Sequence, residues 1–467
     1  MTEKIQKLLS DSKGARWFVL ATVSFTMLTG YFIADVISPL SDLLAESTST
    51  RWTPLDFGFV TGAYSWFNVF FLMLIFGGII LDKMGIRFTG NTFVSLMIVG
   101  TAIKYYALTE TFTNGGFGYE FFNSFMTDYS PSAKLAALGF AIFGVGVEIA
   151  GITVSKIIVK WFKGKEMALA MGLEMATARI GMLLAMWLSP RIVNSFGSIS
   201  LPVGLGLLLL CIGLISFLIH SMMDAKLDKQ IAAEGNNHSA EEFKISDLKI
   251  LFTNKAFLYI SFLCVLFYSA VFPFMKWASM LMVHKYGADP ATAGDIPGLL
   301  PLGTMALTPL FGYFLDNKGK AASIMIFGSI LLILVHTIYA VGPVNSFMPY
   351  FCIIILGIAF SLVPASMWPS VPKIVEDRYL GSAYAAIFWI QNWGLMAMPT
   401  LIGIVLNAVN PGVSEQIQAG VAGAHYDFTI PMLMFASTGV LGLVFAFLLK
   451  AEDKKKGYGL ELPNIKK

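Results

Sequence analysis

The sequence predicts an all-α membrane protein with twelve transmembrane helices in two pseudo-symmetric six-helix bundles. Three observations predict it. Of 467 residues, 56% are hydrophobic and only 13% charged, and the mean hydropathy of +0.71 lies well above that of soluble domains. Apolar runs recur near 17–42, 56–81, 88–109, 133–160, 166–190, 199–222, 256–284, 292–315, 321–342, 347–373, 379–409 and 428–450. Each reaches the roughly 20 residues that a helix needs to cross hydrocarbon. One long polar stretch, 224–255, splits these runs six and six, which gives an N-terminal bundle (1–223), a linker (224–255) and a C-terminal bundle with a short tail (256–467).

Taken in order, the first run follows a charged flank, "MTEKIQKLLSDSKGAR", with no short apolar core and cleavage site, so no signal peptide is read there; it carries Asp35. The second contains "YSWFN", with Tyr64 and Asn68, and leads into "GGIILDKMGIR" (77–87), with Gly78, Asp82 and Arg87. The third ends near Lys104. The fourth carries Glu148 and Lys156, and the tight loop "KWFKGKE" (160–166) joins it to the fifth, which carries Glu174 and Arg179. After the sixth, the linker holds an "NHS" sequon at Asn237. The seventh contains Lys276 in "FPFMKWAS", and the eighth leads into "GYFLDNKGK" (312–320), with Asp316. The ninth has a lone His336, read as a satisfied helix residue. Trp368 lies in the tenth, and "WIQNW" in the eleventh supplies Trp389, Gln391, Asn392 and Trp393. Cys211, Cys264 and Cys352 all fall in spans and read as core residues, with no disulfide framework or metal cluster expected.

Orientation follows from the basic residues. With both termini cytoplasmic, the inner side carries 24 of the 32 Lys and Arg, whereas the outer segments hold Arg51, Lys134, Arg191 and Lys285, with Lys104 near a helix end. The net charge of +3 is therefore topological, and nucleic acid is not an expected partner. On this topology Asn237 faces away from the glycosylating side.

Two internal repeats support the six-plus-six division. The loops at 77–87 and 312–320 share a Gly, an Asp four residues on, then a basic residue and Gly. Gly78 would let helices approach closely, and Asp82 could accept from a helix N-terminus or pair with Arg87. In the second repeat, "EMALAMGLEMATARIG" (166–181) aligns with "YLGSAYAAIFWIQNWG" (379–394), which lays Arg179 on Asn392.

A charge within a span costs roughly 2.5–3.5 kcal/mol on insertion scales, so it pairs or lines a wet cavity. Asp35, Glu148, Arg179 and Lys276 are the four such residues that stand out. Glu148 lies about 14 residues before the centre of the 160–166 turn and Arg179 about 17 after it, hence at depths of roughly 21 and 25 Å. An acid and a base at one depth fit a small zwitterion, whose carboxylate Arg179 would grip bidentately and whose ammonium Glu148 would take. They could equally form a buried ion pair that fixes the hairpin. Lys156 and Glu174 read as gate contacts, Asp35 as an amine or proton site or a helix cap, and Lys276 as a group near the outer mouth. Asn68, Gln391 and Asn392 offer amide-like partners, and Tyr64, Trp389 and Trp393 could wall side-chain pockets. No phosphate-cradling loop and no zinc-ligand His pair occurs, so neither enzymatic activity nor a cofactor is expected.

The loop repeat resembles that of the major facilitator superfamily. Within it, "YFIAD" (31–35), "YSWFNVFFLMLIFGGIILDKMGIR" (64–87), "GVGVE" (144–148), "WFKGKEMALAMGLEMATARIG" (161–181), "AVFPF" (270–274) and "LGSAYAAIFWIQNWGL" (380–395) resemble the family of lysosomal dipeptide transporters and their prokaryotic relatives. The resemblance implies facilitated diffusion of dipeptides, with the acid after the glycine pair and the arginine of "ARIG", here Glu148 and Arg179, holding the peptide termini. The sequence departs from many superfamily members at Phe140, where an arginine tied to proton coupling is common, and Lys276 has no recognised counterpart. The expected protein is thus a monomeric dipeptide uniporter of a bacterial inner membrane, with the lipid bilayer as its surroundings and an accessory subunit left open. The rival readings are a proton-coupled symporter of another organic anion and a non-transporting sensor or scaffold.

Overall fold

The computed structural model describes residues 8–233 and 249–463, all helices and connecting turns with no strand among them. The first seven residues of the basic flank and the linker sequon at Asn237 lie outside the described residues.

The helices run in the predicted order. They are α1 (Lys13–Asp35), α2 (Pro54–Ala63), α3 (Trp66–Phe70), α4 (Met73–Ala107), α5 (Pro131–Phe162), α6 (Met167–Phe196), α7 (Leu201–Ala233), α8 (Lys255–Tyr286), α9 (Asp295–Lys318), α10 (Ala321–Val341), α11 (Met348–Met367), α12 (Leu380–Val409) and α13 (Thr429–Lys456). Their starts follow local chemistry. Thr53 and Asp56 form a capping box around Pro54 at the head of α2, Ser130 accepts from the Ala133 amide ahead of α5, and Asn254 caps α8.

Among the described residues eleven helices are long and apolar enough to span a membrane, not twelve, because the second predicted span is broken. It exists as α2, α3 and the start of α4, with turns at 64–65 and 71–72 and Leu72 at φ 53°. The third span is continuous with it through Gly85, whose φ of 78° makes the turn that a residue with a side chain adopts only under strain. Gly78, expected at a close helix approach, has open space where a Cβ would sit.

The two halves meet from the end opposite the linker inward as far as α3 and α12, and part toward the linker end. Toward the end opposite the linker, α2 packs on α12 and α6 on α9. A Cβ on Gly58 would lie 2.7 Å from the Pro399 carbonyl oxygen and 3.0 Å from the Gly403 Cα, so the α2–α12 contact is backbone against backbone. Arg191 grips Asp295 with two hydrogen bonds of 2.8 Å, and His284 Nε2 lies 2.7 Å from Asp42.

At the linker end the ion pairs each stay within one half. Lys160 joins Asp224 at 2.7 Å and Asp228, Arg87 reaches Asp228 at 3.0 Å, Arg16 pairs with Glu166 at 2.9 Å, and Lys156 with Asp82 at 2.7 Å. Arg87 therefore bonds the end of α7, and the anticipated partnership with Asp82 is replaced by one to Lys156. In the second half the C-terminal tail does the equivalent work, since Glu461 accepts from the Ser323 amide and hydroxyl, both at 2.8 Å. A cleft thus opens between the halves at the linker end and closes at the far end.

The cysteines divide: Cys264 and Cys352 are buried, whereas Cys211 is exposed on α7 rather than in the core. His336 is only half satisfied: Nε2 lies 3.0 Å from the Ala270 carbonyl, but the buried Nδ1 has no hydrogen-bond partner among the described residues.

Gly58→Val should hold the far end apart. In a Cys211→Ser background, spin labels on exposed far-end loops at Asp128→Cys and Val421→Cys should give a longer distance distribution in the valine variant, and an unchanged distribution would refute the glycine contact as the closure.

Candidate functional site

Four helices bring the sequence-selected charges to the cleft. On α5, Gly144 lies one turn before Glu148, and a side chain there would run into the Tyr64 backbone. The break between α2 and α3 therefore seats directly on α5, and the Tyr64 hydroxyl donates to Glu148 Oε1 at 2.7 Å. This is the one hydrogen bond to Glu148 among the described residues, and it leaves most of a partly exposed carboxylate free.

Arg179 stands on α6 with no carboxylate of the described residues within 4.0 Å, so it does not pair with Glu148 as the hairpin reading allowed. Its Nη1 lies 3.2 Å from Met182 Sδ, and its guanidinium carbon sits 5.2 Å from the Phe360 ring centroid and 5.9 Å from that of Phe272. Both rings belong to the opposite half. Cation–π contact of this kind stabilises a desolvated guanidinium while leaving its in-plane donors unspent.

Asp35 and Lys276 are brought to each other. Lys276 Nζ, on α8, bonds Asp35 Oδ1 and donates to the Ala34 carbonyl at 2.7 Å, which ties the first half to the second. With side-chain exposures of 14% and 5%, the pair sits at the closed end of the cleft.

The amide set is engaged near the midplane. Asn68 Nδ2 lies 3.5 Å from both the Gly144 carbonyl and Asn392 Oδ1, Asn392 donates to the Phe388 carbonyl at 3.0 Å, and Gln391 accepts from Cys264 at 3.6 Å. Asn68 and Asn392 are buried, and Asn68 Oδ1 lacks a partner. Trp389 Nε1 donates to the Val69 carbonyl at 3.2 Å, and Trp393 meets Phe70 edge-on with 42% of its surface exposed. These residues join the halves across α3 and α12. Of the gate candidates, Lys156 and Asp82 pair at the open end, Glu174 lies close enough to Arg179 to feel its charge, and Asp316 sits in the last turns of α9.

Sequence reasoning missed four residues. Tyr31 lies in the field of Arg179, Glu148, Glu174 and Asp35, and its place one turn before Asp35 in "YFIAD" could have flagged it. Lys104, expected near a polar helix end, is wholly buried, 3.9 Å from the Phe140 ring centroid and 3.5 Å from the Ile33 carbonyl. Phe272 and Phe360 carried no signal, because an aromatic in a span reads as packing.

The Major Facilitator Superfamily profile matches residues 20–399 and 277–463. Among curated proteins, the lysosomal dipeptide transporter MFSD1 of Mus musculus is 29% identical over 402 residues, covering 84% of this chain and 80% of that protein. Among solved structures, the nucleoside transporter NupG superposes with a TM-score of 0.65 at 16% identity, over 94% of this chain and 99% of its own. A bacterial homologue of the human lysosomal transporter Spinster, inward-facing and occupied, does so with a TM-score of 0.66 at 13% identity, over 95% and 98%.

Asp35→Asn or Lys276→Met alone should each destabilise the protein by about 3 kcal/mol, because the surviving charge stays buried without its partner. The double variant should recover part of this loss. Thermal unfolding of the four proteins as a double-mutant cycle measures the coupling, and additive losses would show that the pair contributes none.

Proposed function

The chain belongs to the major facilitator superfamily, and on that premise we propose that it carries dipeptides across the membrane by alternating access, as a uniporter. The observation that supports this best is the pair of opposite charges, Glu148 and Arg179, that face one cleft without neutralising each other. A dipeptide is a zwitterion whose termini are separated by a peptide unit. Its ammonium meets the free oxygen of Glu148, and its carboxylate replaces Met182 as the acceptor at Arg179. Tyr64 holds the Glu148 carboxylate in place, and Tyr31 lies in the field of both poles.

Binding also supplies a reason for the cleft to close. An open cleft solvates the two charges, and closing it empty costs part of that solvation, so the empty carrier returns more slowly than the loaded one crosses. With a zwitterion bound, each charge has a counter-ion, and the halves can come together around a neutral complex. A substrate of zero net charge leaves the loaded cleft neutral without a further ion, which is compatible with uniport. At the far end, Arg191–Asp295, Lys276–Asp35 and the α2–α12 glycine contact part in the opposite state. At the linker end, the pairs Asp82–Lys156 and Arg87–Asp228 in one half, and Glu461 on Ser323 in the other, keep each half rigid as it moves.

The distribution of Lys and Arg supports both termini, and the open end of the cleft, being cytoplasmic. The proposed setting is a bacterial inner membrane, with the protein acting as a monomer. The organic-anion reading asks Lys276 to grip substrate, but that lysine is occupied by Asp35 and the Ala34 carbonyl.

A thermal-shift panel on the purified protein tests the proposal, since a ligand of the folded state raises apparent stability by mass action. Dipeptides should stabilise it, and their constituent amino acids should not. Arg179→Ala should weaken dipeptide binding at least about tenfold, an amount equal to one lost charge-assisted contact. Glu148→Gln keeps an acceptor for Tyr64 and should weaken free dipeptides but not their N-acetylated forms. Stabilisation by organic acids alone would overturn the reading.

A further inference from the structure

The walls of the cleft differ in chemistry. The first half presents Glu148, Arg179, Glu174, Tyr31 and Tyr64, whereas the second presents rings. Phe272 on α8 and Phe360 on α11 meet edge to face at 5.3 Å. Tyr268 stacks on Phe272 at 5.6 Å and receives a hydrogen bond of 3.0 Å from Trp368 Nε1. Trp368 in turn stacks on Phe388 of α12 at 5.0 Å. Phe272, Trp368 and Phe388 keep part of their surface exposed, so the array has a free face. Its near edge is the pair of rings under Arg179.

Resting on the dipeptide reading above, we propose that this aromatic wall is the subsite for the side chain of the C-terminal residue, and that it selects large apolar and aromatic side chains. The argument is one of reach. A carboxylate held by Arg179 fixes the adjacent Cα within one bond of the group that is gripped. Phe360 and Phe272 lie 5.2 and 5.9 Å from the guanidinium carbon, so the side chain on that Cα is the part of the substrate that meets them. The N-terminal residue, held at Glu148, is the far pole of the molecule. A ring in the C-terminal position gains edge-to-face contacts and buries apolar surface.

The arrangement divides recognition between the halves. The first half binds what every dipeptide shares, its charged termini, and the second half binds what distinguishes one dipeptide from another.

The test compares Ala-Ala, Ala-Phe and Phe-Ala by isothermal titration on wild-type protein and on Phe272→Leu, a partly exposed site where leucine keeps the packing volume. Wild-type protein should bind Ala-Phe about tenfold more tightly than Ala-Ala, in line with one buried aromatic side chain. Phe272→Leu should bring the Ala-Phe to Ala-Ala affinity ratio close to one, whatever it costs all three peptides through the ring contact with Arg179, and Phe272→Tyr should retain the ratio. If wild-type protein binds no dipeptide, the proposed function fails and this subsite with it. If dipeptides bind but Ala-Phe has no advantage over Ala-Ala, or Phe272→Leu weakens all three equally, the subsite alone is overturned.

Discussion

A guanidinium without a counter-ion, set in the middle of a membrane-spanning bundle, is the constraint around which this structure is arranged. Hydrocarbon cannot solvate it, so the bundle has to hold water or a ligand beside it. The chain meets that demand by splitting: α1–α7 and α8–α13 close against each other at the far end and part toward the linker end, where Arg179 faces open space and the two rings of Phe272 and Phe360. Elsewhere the same constraint is met by pairing, as in Lys276 with Asp35 and Lys160 with Asp224. The proposed function resides where pairing is absent.

Much of this was legible in the sequence, for a physical reason. The bilayer fixes helix length, the cost of charge marks the rare ionisable residue, and a tight turn fixes relative depth, so composition and counting located Glu148 and Arg179 without contacts. Contacts were harder to read. Asp35 and Lys276 are 241 residues apart, and only the docking of α1 on α8 joins them. Periodicity read the second span as one helix because apolar residues fill it throughout; its breaks at 64–65 and 71–72 follow from how its backbone seats on Gly144 and α12. The aromatic wall was invisible because a phenylalanine that packs and one that lines a cleft look alike in a hydrophobic run.

The two halves repeat one plan with different materials. Each fastens its linker-end loop by an acid: in the first half Asp224 and Asp228 come from the extension of α7, and in the second Glu461 comes from the tail beyond α13. The loop motif is strong in the first copy and eroded in the second, and the difference tracks this substitution. Where a helix brings the acids, Arg87 of the loop and Lys160 at the end of α5 supply the bases; where a tail folds back, it caps the amide of Ser323 directly.

The broken second span bears on how force travels through the molecule. A continuous helix is a stiff rod, and tilting one end moves the other by a proportionate amount. Here the rod has joints on either side of α3, while α2 is clamped to α12 and α3 is tethered to it through Val69 and Asn68. Torque applied at the linker end is therefore absorbed at the joint near Leu72 before it reaches α2. The two ends of the cleft are thus joined along this edge by a hinged element, whereas on the opposite edge α6 and α9 run as single helices that contain Pro190, Pro301 and Pro309.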